Sequence, residues 1–152
     1  MTESHAEASD QETRSDLVGI VVVSHSRPLA RAAVELASEM VQADSRPPIR
    51  IAAGLDEQTL GTDAAAVSGA LEELAGCPGI LVLVDLGSSI LSAEMAEEFL
   101  DPQVSAKVRI SPAPLVEGLL IAAITAATGA DLDMVASEAA RALEPKLNQI
   151  GQ

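Results

Sequence analysis

Two uninterrupted apolar runs constrain the fold of this chain more than any other feature. The first, LVGIVVV, covers residues 17–23, and the second, GILVLVD, covers residues 79–85 and ends on an aspartate. A strand with one wet face alternates apolar and polar side chains, whereas a continuous run of Val, Ile and Leu is typical of a parallel strand covered on both faces. The two runs therefore predict a parallel sheet with helices on both sides.

The segments around these runs alternate between strand and helix. Shorter strands are predicted at residues 49–53 (IRIAA) and 107–110. Helices are predicted after Pro28, from about Ala64 to Ala75, after Gly87 to about Leu100, from Pro114 to Thr128, and once more after Asp131. This order predicts right-handed crossovers and an α/β fold with a doubly wound, mostly parallel sheet of four or five strands.

One domain is predicted to occupy most of the chain. Residues 1–16 are polar and acidic and are predicted to form a disordered leader, residues 17–147 the domain, and residues 148–152 a short tail. The leader lacks the apolar segment of a secretory signal, and the longest mostly apolar stretch, residues 118–130, is too short to span a bilayer. These features predict a cytoplasmic protein.

The composition argues against several classes of function. With 23 acidic and 9 basic side chains the net charge is −14, which would repel nucleic acid and anionic lipid. The single cysteine, Cys77, excludes an internal disulfide and a cysteine-based zinc cluster, and His5 and His25 lie on different segments. Neither the P-loop nor the dinucleotide-binding glycine motif is present. We therefore expect no metal and no bound cofactor.

The tripeptide Ser24-His25-Ser26 places a histidine directly after the first apolar run. Doubly wound sheets carry their sites at the carboxyl ends of the strands, near the switch in strand order, and Asp85 ends another strand at that edge. Histidine titrates near neutral pH, and a neutral imidazole is a nucleophile that can accept and pass on a phosphoryl group. In this interpretation Asp85 orients the ring of His25.

Donors for phosphoryl oxygens are available nearby. Ser26 offers a hydroxyl, and Gly87, Ser88 and Ser89 offer amides and hydroxyls at the start of a helix. Three alternatives compete with this interpretation. His25 could bond only to a neighbouring carbonyl. Asp85 could be a phosphorylated receiver aspartate, although the carboxylates such a magnesium site needs are absent after the first strand. A hydrolase triad lacks its G-x-S-x-G elbow.

The segment PLVEGLLIAAI carries one acid, Glu117, in an apolar helix. Its carboxylate either faces the edge that holds His25 or occupies an ordinary solvated or interface position. The surplus of Leu, Ile and Val around this helix exceeds what one small domain needs to cover its sheet. It therefore predicts a homodimer.

Four segments in order carry a family resemblance: IVVVSHSRPLA, IAAGLDEQTLGTDAAAV, GILVLVDLGSSILSAEMA and PAPLVEGLLIAAITAATGADLDMV. Together they resemble the phosphotransferase subunits of phosphoenolpyruvate-dependent dihydroxyacetone kinases, the DhaM family. The domain of that family is similar to the mannose-type IIA domains of the sugar phosphotransferase system. The resemblance runs from about Val18 to Leu143.

The resemblance implies a phosphotransferase in which His25 is phosphorylated. The phosphoryl group would come from the carrier HPr and pass to ADP held on the DhaL subunit, which phosphorylates dihydroxyacetone bound to DhaK. Asp85 corresponds to the ring-orienting acid of the family, and Gly87, Ser88 and Ser89 to its phosphate-proximal loop. The resemblance also implies a dimer with a central parallel sheet.

Longer members of the family fuse further carrier domains to this one. Because this sequence ends at Gln152, the carrier is expected to be a separate protein. Two other functions stay open from the sequence. One is a mannose-type IIA component that passes phosphate to a sugar-specific IIB protein. The segments Gly61-Thr62-Asp63 and PLVEG favour the kinase over this alternative. The other is a non-catalytic module that senses phosphorylation state.

Overall fold

A single four-stranded sheet forms the centre of the domain in the computed structural model, which describes residues 15–151. Its strands are β1 (Gly19–Ser24), β2 (Ile49–Ala53), β3 (Ile80–Val84) and β4 (Val108–Ser111). All neighbours pair in parallel, in the order β2-β1-β3-β4. The doubly wound parallel sheet predicted from the sequence is confirmed.

Seven helices occur in the described part of the chain. They are α1 (Arg27–Glu39), α2 (Ala64–Glu73), α3 (Ser88–Glu98), α4 (Pro102–Ser105), α5 (Leu115–Ala127), α6 (Leu132–Ala140) and α7 (Glu144–Ile150), with a short 3-10 helix at Ala43–Ser45. Side-chain oxygens of Ser26, Asp63 and Asp131 accept backbone N–H bonds and so cap α1, α2 and α6.

Two helical features differ from the sequence prediction. The last helix was predicted as one element but is divided into α6 and α7. Pro145 lies in the first turn of α7, where its missing N–H costs nothing, whereas inside a continuous helix it would clash with the preceding turn. Pro102 likewise begins the short helix α4, which the sequence prediction lacked. Residues 148–150 belong to α7.

The two central strands are buried along their whole length, which accounts for their uninterrupted apolar sequence. Alternate side chains, such as Ile20 and Leu81, face a core layer under α1, α5 and α6. The intervening side chains, such as Val21 and Val82, face a second layer under α2 and α3. Each buried aliphatic side chain contributes roughly 1.5–3 kcal/mol of hydrophobic free energy.

The strand order singles out the position between β1 and β3 at the carboxyl edge of the sheet. The chain goes from β1 to β2 on one side of the sheet and then crosses to β3 on the other side, so the carboxyl ends of β1 and β3 adjoin at the switch point. Loops leave the sheet here in opposite directions and open a crevice. Most of the leader predicted at residues 1–16 lies outside the described residues. Within residues 15–151, no helix has both the length and the apolar composition that crossing a bilayer requires.

Candidate active site

His25 and Asp85 meet at the switch point of the sheet. Val23 lies opposite Val84 in the β1–β3 register, and the Asp85 N–H donates to the Val23 carbonyl at 3.1 Å. The residues that follow the two strands are therefore neighbours. The distance between His25 Nδ1 and Asp85 Oδ1 is 3.0 Å. The sequence predicted a shared edge, and the structure adds direct contact between the two side chains.

The carboxylate of Asp85 accepts four hydrogen bonds from three residues. Oδ2 accepts from the Ser24 hydroxyl and the His25 backbone N–H, both at 2.9 Å. Oδ1 accepts from the Leu86 backbone N–H at 2.7 Å and from His25 Nδ1. Burial raises the pKa of Asp85, but these hydrogen bonds, led by the His25 backbone N–H, outweigh it and bring the pKa to about 2. Asp85 is therefore ionised at neutral pH.

The ionised carboxylate fixes the tautomer of the His25 ring. A carboxylate can only accept, so Nδ1 carries the proton that it shares with Asp85, and in the neutral ring the lone pair is then on Nε2. Ser88 Oγ lies 2.7 Å from Nε2, and in the neutral ring its hydroxyl donates to that lone pair. The side chain of His25 is 29% exposed. In its neutral form the ring therefore presents Nε2 as a nucleophilic nitrogen that can be reached from solvent.

A tight turn brings Ser88 to the ring. The Ser89 N–H donates to the Leu86 carbonyl at 3.1 Å, and Gly87 has φ 49° and ψ −113°, the first central position of a type II′ turn. An L side chain rarely adopts this conformation, which explains the glycine. Ser89 is fully buried, and its hydroxyl donates back to the Leu86 carbonyl at 2.9 Å. In this structure that hydroxyl bonds within the turn, and its predicted contact with a phosphoryl oxygen stays a prediction.

The start of α3 supplies further donors beside the ring. Within residues 15–151, the backbone N–H groups of Gly87 and Ser88 have no acceptor, as expected at the beginning of a helix. Such N–H groups and the positive end of the helix dipole favour an anion. Ser26 has a different position, because its Oγ accepts the Leu29 N–H at 3.3 Å and caps α1. Of the predicted phosphate donors, Ser88 and the N–H groups of its turn therefore lie beside the ring, whereas Ser26 caps α1.

The sequence analysis did not predict three residues whose hydroxyls lie in the site: Ser24, Thr62 and Ser92. Ser24 is fully buried and donates to Asp85, and its only signal was a polar residue at the end of an apolar strand. Thr62 Oγ1 lies 2.7 Å from Ser92 Oγ and 3.4 Å from Ser88 Oγ. The Gly61-Thr62-Asp63 segment was interpreted as a cap and as a family marker, and Asp63 does cap α2.

Glu117 lies in the first turn of α5 and pairs with Lys146 of α7. The hydrogen bond from Lys146 lowers the pKa of Glu117. This pairing fits the interpretation of Glu117 as an ordinary, partly exposed position, not as a member of the His25 site.

A cleft of about 430 Å³ lies on the other side of Asp85, between α3 and the segment that follows β4. Asp85 and Glu94 both line it, so the cleft is unfavourable for a phosphate. No group of three His, Cys, Asp or Glu side chains in residues 15–151 is arranged to hold a metal ion. The phosphate-compatible side of the crevice is therefore the side of Ser88.

Comparison with known proteins identifies the family. The family described as PTS system fructose IIA component, EIIA-man, matches residues 19–136. The phosphoryl donor subunit DhaM of the PEP-dependent dihydroxyacetone kinase of Escherichia coli is 48% identical over 137 residues, which are 89% of this chain and 29% of that protein. The DhaM of PEP-dependent dihydroxyacetone kinase 2 of Listeria innocua is 36% identical over 71% of this chain and 85% of its own length.

Solved structures share the fold of this chain. A crystal structure of a protein of unknown function, EF1359, superposes with a TM-score of 0.70 at 29% identity, over 82% of this chain and 94% of that one. A sigma-54 interaction domain protein from Enterococcus faecalis shares the fold, with a TM-score of 0.65 at 17% identity over 90% of this chain and 97% of that one.

The resemblance found in the motifs is confirmed by these matches, although the chain spans only 29% of the length of the E. coli relative. The chain belongs to the PTS fructose IIA component family, EIIA-man, and is related within it to DhaM phosphoryl donor subunits.

Proposed function

We propose that this chain is a phosphoryl-transfer domain of a phosphoenolpyruvate-dependent dihydroxyacetone kinase, with His25 as the phosphorylated residue. The donor is the phosphohistidine of HPr, and the acceptor is ADP bound to DhaL, which serves dihydroxyacetone bound to DhaK. The names of the relatives supply the reaction class. The observation that carries the proposal is the His25 ring, held through Nδ1 by Asp85 while Nε2 faces Ser88 Oγ.

The first transfer is a displacement at phosphorus. The lone pair of His25 Nε2 forms the new N–P bond, and the N–P bond of the donor breaks, so its electron pair returns to the donor imidazole. His25 keeps its Nδ1 proton, and the phosphorylated ring carries a positive charge. The ionised carboxylate of Asp85 stabilises that charge from 3.0 Å. No proton has to leave or enter the site during this step.

The Ser88 hydroxyl changes partner in the same step. In the free protein it donates to the Nε2 lone pair, which the new bond consumes. A phosphoryl oxygen then takes this hydrogen bond, because it can accept and Nε2 no longer can. The unpaired N–H groups of Gly87 and Ser88 are further donors for the phosphoryl oxygens. In the second transfer an oxygen of the terminal phosphate of ADP attacks phosphorus, the N–P bond breaks, and Nε2 regains its lone pair.

The test is label transfer from phosphoenolpyruvate with enzyme I and HPr, followed by addition of DhaL with bound ADP, DhaK and dihydroxyacetone. We expect acid-labile, base-stable label on the full chain and label in dihydroxyacetone phosphate after the second addition. His25→Gln is expected to remove both signals. His5→Gln removes the other histidine of the chain and serves as the matched control that retains them. Base-stable label on His25→Gln would refute the assignment.

A second candidate is a IIA component of sugar transport, favoured by the description of the matched family as a fructose IIA component. It predicts label on His25 that passes to a sugar-specific IIB protein and stays off ADP. The sensing module predicts label on His25 that passes to neither acceptor. Offering both acceptors to the labelled chain in separate reactions distinguishes the three functions.

A further inference from the structure

We propose that Thr62 is a positioning residue of this site, which holds Ser88 in place to donate its hydroxyl to His25 and then to the phosphoryl group. Nothing in the step described above uses Thr62, although it stands in the sequence motif Gly61-Thr62-Asp63. The kinetic part of the proposal rests on the proposed function. The structural part concerns the resting protein and can be tested separately.

Thr62 joins the loop after β2 to the first turns of α3. Its Oγ1 lies 2.7 Å from Ser92 Oγ, 3.3 Å from the Ser88 carbonyl oxygen and 3.4 Å from Ser88 Oγ. Ser92 is only 9% exposed, so its hydroxyl needs a partner inside the protein. One threonine hydroxyl thus lies at the centre of three polar atoms, two of which belong to the residue that contacts Nε2.

Gly61, the residue before Thr62, holds His25, the other residue of the contact between His25 Nε2 and Ser88 Oγ. The Gly61 N–H donates to the His25 carbonyl at 2.9 Å. Gly61 therefore fixes the backbone of His25, while Thr62 fixes Ser88. Asp63 accepts the Ala65 N–H and attaches the pair to the start of α2. Each residue of the motif has a role in keeping His25 Nε2 and Ser88 Oγ 2.7 Å apart.

The hydrogen-bond donors run in one direction through this network. Asp85 is ionised and accepts only, so His25 donates from Nδ1; in the neutral ring Nε2 accepts, and Ser88 donates to it. The remaining lone pairs of Ser88 then accept, and the Thr62 hydroxyl donates towards Ser88. Because the single proton of the Thr62 hydroxyl is then given to Ser88, the hydrogen bond of 2.7 Å between the Thr62 and Ser92 hydroxyls takes its proton from Ser92. Without the hydroxyl of Thr62, His25 is the only side chain among the described contacts that still holds Ser88 Oγ.

The first measurement is ¹⁵N NMR of His25 in the unphosphorylated full chain, with His5→Gln so that one histidine gives the signals. We expect Thr62→Val to shift the Nε2 resonance towards that of a lone pair without a hydrogen bond. Thr62→Ser keeps a hydroxyl and is expected to retain the original resonance. Thr128→Val is the matched control, because the Thr128 hydroxyl donates only to the Thr125 carbonyl in α5 among the described contacts.

The second measurement is the rate of His25 phosphorylation by phosphorylated HPr. Thr62→Val is expected to slow it about 5-fold, the effect of one neutral hydrogen bond, with Thr62→Ser near the original rate. Ser92→Ala, which removes a partner of Thr62, is expected to act in the same direction and replaces Thr62→Val should that variant not fold. An unchanged Nε2 resonance and rate in the variant would overturn the proposal, as would Thr62→Ser behaving like Thr62→Val. Failure of the parent chain to be phosphorylated counts against the proposed function alone, because the NMR result still decides the role of Thr62.

Discussion

Asp85 brings together four donors, and this concentration determines what His25 can do. Two of the donors are backbone N–H groups and one is a buried serine hydroxyl, so the carboxylate is held in place before the ring is added. The ring then has one orientation and one tautomer, with Nε2 directed at Ser88. Under the proposed function, a nucleophile positioned in this way needs little rearrangement when the donor protein arrives.

The ionised state of Asp85 predicts a stability that depends on pH. Its pKa is lowered from 3.8 to about 2, so its contribution is complete above about pH 5 and is lost as the pH falls through the folded-state value. Asp85→Asn is expected to cost about 2 kcal/mol at pH 5 and about 1 kcal/mol less at pH 3. Urea unfolding of both proteins at the two pH values measures this. Parallel loss of stability in both proteins would contradict the expectation.

The strand-end rule was enough to predict His25 and Asp85 from the sequence, because neighbouring parallel strands end at one edge. It could not choose among the serines nearby. Which hydroxyl reaches Nε2 depends on the dihedral angles of one turn, which direct Ser88 to the ring and Ser89 into the protein. Thr62 comes from a loop 26 residues before Ser88, and no local pattern links the two.

At the scale of elements, the sheet and most helices follow from apolar periodicity and capping residues. The continuous runs predicted β1 and β3 because both faces of these strands are covered. The division of the last helix was missed because helix-spaced apolar residues continue across it. Pro145 indicates the division, but a search for apolar periodicity does not take a proline into account.

The turn before α3 gives a prediction at this scale. A Cβ added at Gly87 would meet no atom within 4 Å, so Gly87→Ala is opposed by backbone conformation and not by space. We expect a loss of about 1 kcal/mol or more in stability and a slower phosphorylation of His25. Gly69→Ala is the matched control, since Gly69 has equal space inside α2 at an ordinary helical conformation.

Gly69→Ala is expected to stabilise the protein by about 0.5–1 kcal/mol and to leave phosphorylation unchanged. Thermal or urea unfolding and the phosphorylation rate measure both variants. Equal stability changes for the two glycines would show that the turn does not require a positive φ at residue 87.

At the scale of the whole molecule, charge is the dominant feature. The net charge of −14 creates a negative field that attracts partners with basic docking surfaces and repels acidic ones. The predicted homodimer stays a prediction. Exposed apolar side chains occur on α3 and at the α5 and α7 surfaces. Folding of one chain therefore does not bury all of the apolar residues that the sequence contains. They include Leu91, Met95, Phe99, Ile124 and Ile150.

The field predicts an ionic-strength effect on association with phosphorylated HPr. Because the Debye length is about 10 Å at 0.1 M salt, we expect the association rate constant to fall several-fold from low to high salt. The rate constant of transfer within the complex is expected to change little. Rapid-mixing measurements over a series of carrier concentrations separate the two constants. An association rate constant that is the same at every salt concentration would exclude electrostatic steering.

The central claim is that Nε2 of His25 carries the phosphoryl group while Nδ1 keeps its proton against Asp85. Heteronuclear NMR of the ¹⁵N-histidine-labelled chain, phosphorylated through HPr, tests it directly. We expect phosphorus coupled to His25 Nε2, with a protonated Nδ1 on the same ring. Phosphorus coupled to Nδ1, to His5 or to no histidine nitrogen would contradict it.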